Sequence, residues 1–185
     1  MNPLRLVRRC AVLAAAVAAF AAAPASAAGF SVTSSFAEGA AIGSDYAGSG
    51  DCGGKNVSPP LTWSNAPAAT KSFAILATDL DGRNAMGVVH WIAYSIAPTV
   101  TSIPAGFGST PNNPAYVGGP NNRNLTTWLG LCPAVGDAPH HYVFTVYALD
   151  LAPGALATGL TRDAFLAAIA GHSLAGAVLV GHFSR

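Results

Sequence analysis

Two aspartates one residue apart, Asp79 and Asp81, close the apolar run Phe73-Ala74-Ile75-Leu76-Ala77, and His90 follows nine residues after the second. The chain holds only eight acids and five histidines, so this stretch concentrates groups that carry charge or move protons. Farther along, Gly130-Leu131-Cys132-Pro133 adds a glycine-containing loop, and His140-His141-Tyr142 adds imidazoles and a phenol. Four chemistries can be tested against these residues. Histidine and aspartate suit zinc, but no His-x-x-x-His or Cys-x-x-Cys spacing occurs, so a metal site is disfavoured. A serine hydrolase would need a nucleophile turn of the Gly-x-Ser-x-Gly kind, which is absent. Two carboxylates alone do not define a glycosidase, whose logic depends on their separation. Anion binding fits best: a histidine oriented by an aspartate, a hydroxyl from Tyr142, and free backbone N–H groups around Gly130 and Cys132. Each residue also has a plainer use. Asp79 and Asp81 can cap a turn, His90 can be a satisfied core histidine, and His140 and His141 can lie in solvent.

The surrounding pattern says how such residues would be positioned. Ser72–Thr78 and Val88–Ile96 read as strands joined by the aspartate turn, and His140–Leu149 as a third. The period of two predicts Val88, His90, Ile92, Tyr94 and Ile96 on one face of the second strand, with Val89, Trp91, Ala93 and Ser95 on the other. Both faces are mostly apolar, which predicts cover on both sides and a buried His90. On the third strand His140, Tyr142, Phe144 and Val146 share a face. Phe30–Phe36 alternates loosely as a first strand, Leu61 opens a short one, and Ala175–Phe183 reads as a last strand or a helix-to-strand passage. Thr161 caps a helix whose apolar residues are Phe165, Leu166 and Ile169, ending near Gly171. Residues 39–54 read as loop, and Asn56 and Ser58 as bonding the backbone of their own loop. The long stretch 97–124 is rich in Pro, Gly and Asn, and a loop of that length is usually functional. Five or more strands against one or two helices make this a mainly β (α+β) chain of one domain, residues 28–185.

Bulk properties narrow the function. With 51% hydrophobic and 9% charged residues, 20 Gly and 13 Pro, the 185-residue chain is far too apolar for disorder. Arg5, Arg8 and Arg9 precede the apolar run 10–23, and Ala25-Ser26-Ala27 follows, which is the pattern of a secretory signal peptide over residues 1–27. The apolar core is too short for a full membrane span, and no later segment is long and apolar enough to cross a membrane. Without residues 1–27, six of the nine bases remain against eight acids, a net charge of −2. No basic cluster is left to neutralise phosphates, which excludes nucleic acid as a partner. Export would place Cys52 and Cys132 in an oxidising compartment, where they either pair, at roughly 4 kcal/mol for so long a loop, or remain as two buried thiols.

The motifs Cys52-Gly53-Gly54-Lys55-Asn56-Val57-Ser58-Pro59-Pro60-Leu61-Thr62-Trp63, Asp79-Leu80-Asp81, His90-Trp91, Gly130-Leu131-Cys132-Pro133 and His140-His141-Tyr142-Val143-Phe144 fall in one order. That order resembles the phosphatidylethanolamine-binding protein family, in its bacterial Raf-kinase-inhibitor-like branch, and the closing stretch 174–181 resembles the C-terminus of that branch. The resemblance implies a large antiparallel sheet packed on a smaller one with peripheral helices. It also implies a small anion pocket at one end, for a phosphate or phospholipid head group. Matched residue by residue, Asp79, Asp81, His90, His140 and Tyr142 stand at the family's pocket positions, and Gly130, Cys132 and Pro133 at its pocket-wall loop. The departures are local. Where the family carries Asp-Pro-Asp-Ala-Pro, this chain has Asp79-Leu80-Asp81-Gly82-Arg83. Gly-Pro-Cys-Pro-Pro becomes Gly130-Leu131-Cys132-Pro133-Ala134, and His-Arg-Tyr becomes His140-His141-Tyr142. Lost prolines free φ angles at the pocket rim.

The expectation is an exported, non-enzymatic binder of a small anionic or phosphorylated ligand, with no cofactor and no metal. His90 is expected as the main donor, oriented by Asp79 or Asp81. Two other readings remain open: an inhibitor or modulator of a periplasmic or secreted partner, and a weak hydrolase using His90 and an aspartate. A homodimer is compatible with either binding reading.

Overall fold

The structure is a computed structural model that describes residues 29–185. The signal peptide expected over residues 1–27 lies outside the described residues. Among the described residues nine strands form: β1 (Ser31–Thr33), β2 (Ala40–Ala41), β3 (Leu61–Ser64), β4 (Ser72–Asp79), β5 (Val88–Ile96), β6 (Ser102–Ile103), β7 (Val117–Gly119), β8 (His140–Leu149) and β9 (Ser173–Phe183). Strands β1-β3-β6 make a small sheet, and β2-β9-β8-β4-β5-β7 a large one. Pairing is antiparallel, except that β2 runs parallel to β9. This is the mainly β, two-sheet arrangement expected, with the helix Arg162–Ile169 at the periphery.

The two faces of the large sheet bury different sets. Between the sheets lie Trp63, Phe73, Ile75, Trp91, Ala93, Tyr142, Phe144 and Val146. On the other face, Leu76, Ile92, Tyr94 and Leu149 pack on Phe165 and Ile169 of the helix. Thr161 Oγ1 accepts the Ala164 N–H at the start of that helix, as its sequence position predicts. Strand β8 keeps strict alternation, and His140, Tyr142, Phe144 and Val146 share the inner face.

Strand β5 does not alternate strictly, which corrects the face assignment drawn from period two. Its register against β4 shifts twice, between Ala77/Thr78 and between Phe73/Ile75. Each shift is a bulge that inserts one residue and turns successive side chains to the same side. Ser95 takes φ 63° at the second bulge, so Ile96 joins the inner core while Ile92 and Tyr94 stay outside. At the first bulge, His90 packs against Trp128 and Tyr142 on the side where Trp91 is also buried. A sequence period cannot reveal an inserted residue, yet this one aims His90.

Other differences are smaller. The first strand is only Ser31–Thr33, the stretch 39–54 contains β2 and two 3-10 turns, and the last segment is a full strand, β9. Among the described residues no helix is long and apolar enough to cross a membrane.

Candidate functional site

The cleft is built where β4 ends, β5 begins and β8 begins. Asp79 is the last residue of β4 and is 4% exposed. Its Oδ1 accepts the N–H groups of Asp81 (2.9 Å) and Gly82 (3.0 Å), and its Oδ2 accepts from His140 Nδ1 at 2.8 Å. A buried carboxylate is tolerated when its lone pairs are filled in this way. Gly82 is required here, because a Cβ would lie 2.9 Å from Asp79 Oδ2 and 2.7 Å from Val88. Asp79 therefore does both jobs its sequence position allowed: it ties the turn and it orients a histidine.

The histidine it orients is His140, not His90. Burial pushes the His140 pKa down, but the hydrogen bond and charge of Asp79, joined by Asp137 3.5 Å from Nε2, hold it above its ordinary value of 6.5. His90 is in the opposite condition. Burial dominates and pushes its pKa down, and Nδ1 donates to the Leu129 carbonyl. That bond fixes the tautomer and leaves Nε2 as a bare acceptor, buried and without a partner. One imidazole of the pair is thus biased to carry charge and the other to stay neutral.

Two expected ligand residues stand outside the cleft lining. Asp81 turns away, and its Oδ2 accepts the His141 backbone N–H (2.6 Å) and His141 Nδ1 (2.9 Å). These bonds, the backbone one foremost, lower the Asp81 pKa. Tyr142 packs its ring against both imidazoles, and its hydroxyl is buried with no partner. Burial, and then the Asp79 charge, push its pKa well up, so it remains a neutral phenol. The Gly130 loop also differs from expectation, because three of its N–H groups, those of residues 129 to 131, are engaged. Leu129 donates to the His90 carbonyl, Gly130 to Asn56 Oδ1 at 2.8 Å, and Leu131 to the Tyr46 carbonyl. Glycine is needed at 130, where a side chain would meet the backbone of Ala47 and Gly48. Asn56 and Ser58 reach across the molecule rather than along their own loop: Ser58 Oγ accepts the Gly108 N–H.

Asp79, His90, Gly130, Cys132, Pro133 and His140 do line one cleft, of about 1010 Å³. Cys52 and Cys132 are joined in a disulfide with Cα atoms 5.3 Å apart, bridging two of its loops. Arg185 braces the same loops, with Nε on the Pro133 carbonyl and a terminal nitrogen on the Asp51 carbonyl, 2.6 Å each. Sequence reading missed Arg185, Arg123, Asn122 and Asp137 as cleft residues. Asn122 and Arg123 had a usable signal, since both lie in the long loop marked as functional, and Arg123 adds a cation. A turn built on Asn121, which accepts the Arg123 and Leu125 N–H groups, holds it there. Among the described residues no cluster of His, Cys, Asp and Glu is placed to hold a metal ion.

Residues 32–184 match the family model described as phosphatidylethanolamine-binding protein. The chain belongs to the phosphatidylethanolamine-binding protein family. The YbcL protein of Escherichia coli is 38% identical over 143 residues, 75% of this chain and 78% of that protein. Its crystal structure, described as a new member of the mammalian family, superposes with a TM-score of 0.77 at 32% identity, covering 85% of this chain and 99% of that one. CT736 of Chlamydia trachomatis, described as a homolog of the same family, gives 0.72 at 31% identity, covering 85% and 98%. A Mycobacterium tuberculosis protein named as a lipoprotein, LppC, is 40% identical over 127 residues, 65% of this chain and 57% of its own length. Against the family pattern in phosphatidylethanolamine-binding proteins, one departure here has a backbone consequence. Arg83 takes φ 57°, which a proline ring forbids, so the rim turn of this member cannot be the proline-bearing one.

Proposed function

We propose that this family member is an exported protein that binds a small anion, a phosphate or phospholipid head group, in the cleft between His90 and His140. One observation carries the reading: the 2.8 Å Asp79–His140 contact favours a protonated imidazole in a cleft also lined by His90, whose Nε2 has no partner. The His140 cation attracts the anion, and the Arg83 and Arg123 guanidiniums add charge around it. Neutral His90 is an acceptor, so it selects ligands that still carry a donor, as a hydrogen phosphate or phosphomonoester monoanion does on its phosphate and an ethanolamine head group does on its ammonium. Such a donor fills a buried acceptor whose lack of a partner costs about 1–3 kcal/mol. Export is supported by the N-terminal sequence and by the resemblance to a protein named as a lipoprotein.

Isothermal calorimetry with inorganic phosphate and with phosphoethanolamine tests this. Binding should weaken as pH rises through the raised His140 pKa, and His140→Ala should lose it about tenfold or more. Heat of binding indifferent both to pH and to His140→Ala would sink the proposal.

A further inference from the structure

The guanidiniums of Arg83, Arg123 and Arg185 line the cleft, and they are held differently. Among the described residues none of the three has an ion-pair partner. Arg185 is nevertheless anchored. Its Nε donates to the Pro133 carbonyl and a terminal nitrogen to the Asp51 carbonyl, 2.6 Å each. Neutral carbonyls orient a guanidinium without cancelling its charge. The carboxylates in the same lining are committed elsewhere. Asp79 accepts from His140 and from two backbone N–H groups, and Asp137 lies 3.5 Å from His140 Nε2. Asp51 meets Arg185 only through its backbone carbonyl.

The fold gives this cation a station of its own. Strands β8 and β9 pair His140 with Phe183, and Arg185 follows two residues later, its carbonyl accepting the Gly136 N–H at 3.4 Å. From there its side chain reaches the Pro133 and Asp51 loops beside the Cys52–Cys132 disulfide, whereas His140 turns to Asp79 at the end of β4. A guanidinium has five N–H donors in one plane, and two contacts to carbonyls leave three. Such a fork matches the oxygens of a phosphate or carboxylate, and anchoring it beforehand lowers the entropy cost of using it. The cleft is also larger than one phosphate needs. Its volume of about 1010 Å³ stands at the top of the range, about 300–1,000 Å³, that takes ligands of drug size.

We infer that Arg185 is a second anion-recognition residue, and that the cleft prefers phosphate esters carrying a second acidic group, with the phosphate at His140 and the other acid at the Arg185 fork. This rests on the anion-site reading above and narrows its ligand class. The competing role for Arg185 is that of a brace for the Pro133 and Asp51 loops and nothing more. The two roles separate cleanly. A brace acts on every ligand of the cleft alike, whereas a recognition residue acts only on the ligand that brings the second acid.

Calorimetry with two matched pairs of compounds tests the inference. Glycerol phosphate is compared with phosphoglycerate, and fructose monophosphate with fructose bisphosphate, whose second acid lies farther from the first. In at least one pair the doubly acidic member should bind about tenfold more tightly. Arg185→Gln should bring that member down to the affinity of its singly acidic partner and leave the partner unchanged. Arg185→Lys should keep only part of the preference, because an ammonium cannot form the fork. On the unsubstituted protein, the Arg185 Nε–H signal in NMR should shift with the preferred ligand and not with its singly acidic partner, a readout independent of how the variants fold. Equal affinities within both pairs would overturn the inference and leave the anion site standing. So would an equal loss for both members in Arg185→Gln, which is the mark of a brace. No binding by any of these compounds or by inorganic phosphate would remove the anion site and this inference together.

Discussion

The two ends of the large sheet use the same polar side chains to opposite effect. At the end near the helix, Tyr94 is fully buried, and its hydroxyl donates to the Ala157 carbonyl (2.8 Å) and accepts from Leu160 N–H (3.3 Å). At the cleft end, the equally buried Tyr142 hydroxyl has no partner, nor does His90 Nε2. Each end also has one histidine–aspartate pair at 2.8 Å, His172–Asp150 half in solvent and His140–Asp79 shielded from it. Folding alone would favour satisfying a buried hydroxyl, as it does for Tyr94. The cleft end leaves His90 Nε2 open and shields an imidazole biased toward its cation, the combination that makes it the candidate ligand site.

The contrast can be broken at several places. The largest effect should come from the covalent brace that only the cleft end has. Reduction, or Cys52→Ser with Cys132→Ser, opens a loop of sequence separation 80 and should lower the unfolding free energy by about 4 kcal/mol in urea titrations. A loss under about 1 kcal/mol would mean the loops are held by Arg185 and the ladder instead.

Next come the two histidine–aspartate pairs. Asp79→Ala removes three accepted hydrogen bonds and the partner of a shielded histidine, and should destabilise by about 3 kcal/mol. Asp150→Ala, its counterpart in solvent, should stay within about 0.5 kcal/mol. Equal losses would erase the distinction between the ends. The tyrosines give a smaller, signed test. Tyr94→Phe should cost about 1 kcal/mol, whereas Tyr142→Phe should be neutral or slightly stabilising because it deletes an unpaired hydroxyl.

The smallest effect is in the pH dependence of stability. The folded pKa of His140 is raised, so its contribution is complete below about pH 6.5 and fades as pH rises through the folded value. The folded pKa of His90 is lowered, so it acts in the other direction and removes stability as pH falls below about 6.5. Urea midpoints across this range should lose their alkaline decline in His140→Gln and their acid decline in His90→Gln.

What the sequence disclosed follows from what leaves a local trace. Strands β4, β5 and β8, the Thr161 cap, and the gathering of Asp79, His90 and His140 were legible, because apolar runs, a capping residue and motif order are written in adjacent residues. The pairing of Asp79 with His140 was not, because β4 and β8 meet through a ladder whose register no local pattern states. The bulge that turns His90 was hidden for the same reason: an inserted residue changes phase without changing composition. Asp81 was drawn into the site by its nearness to Asp79, yet bonding to the His141 N–H turns it outward. Arg185, at the far end of the sequence, gave no hint that it would brace the loops beside Cys52 and Cys132.

The most direct test follows the His140 ring proton by NMR while pH is varied, with and without inorganic phosphate. An anion bound beside the cation must stabilise the protonated form, so phosphate should raise the His140 titration midpoint, with the His172 signal unmoved. A His140 midpoint that phosphate leaves unchanged, or a His172 signal that shifts equally, would contradict the assignment of this cleft as an anion site.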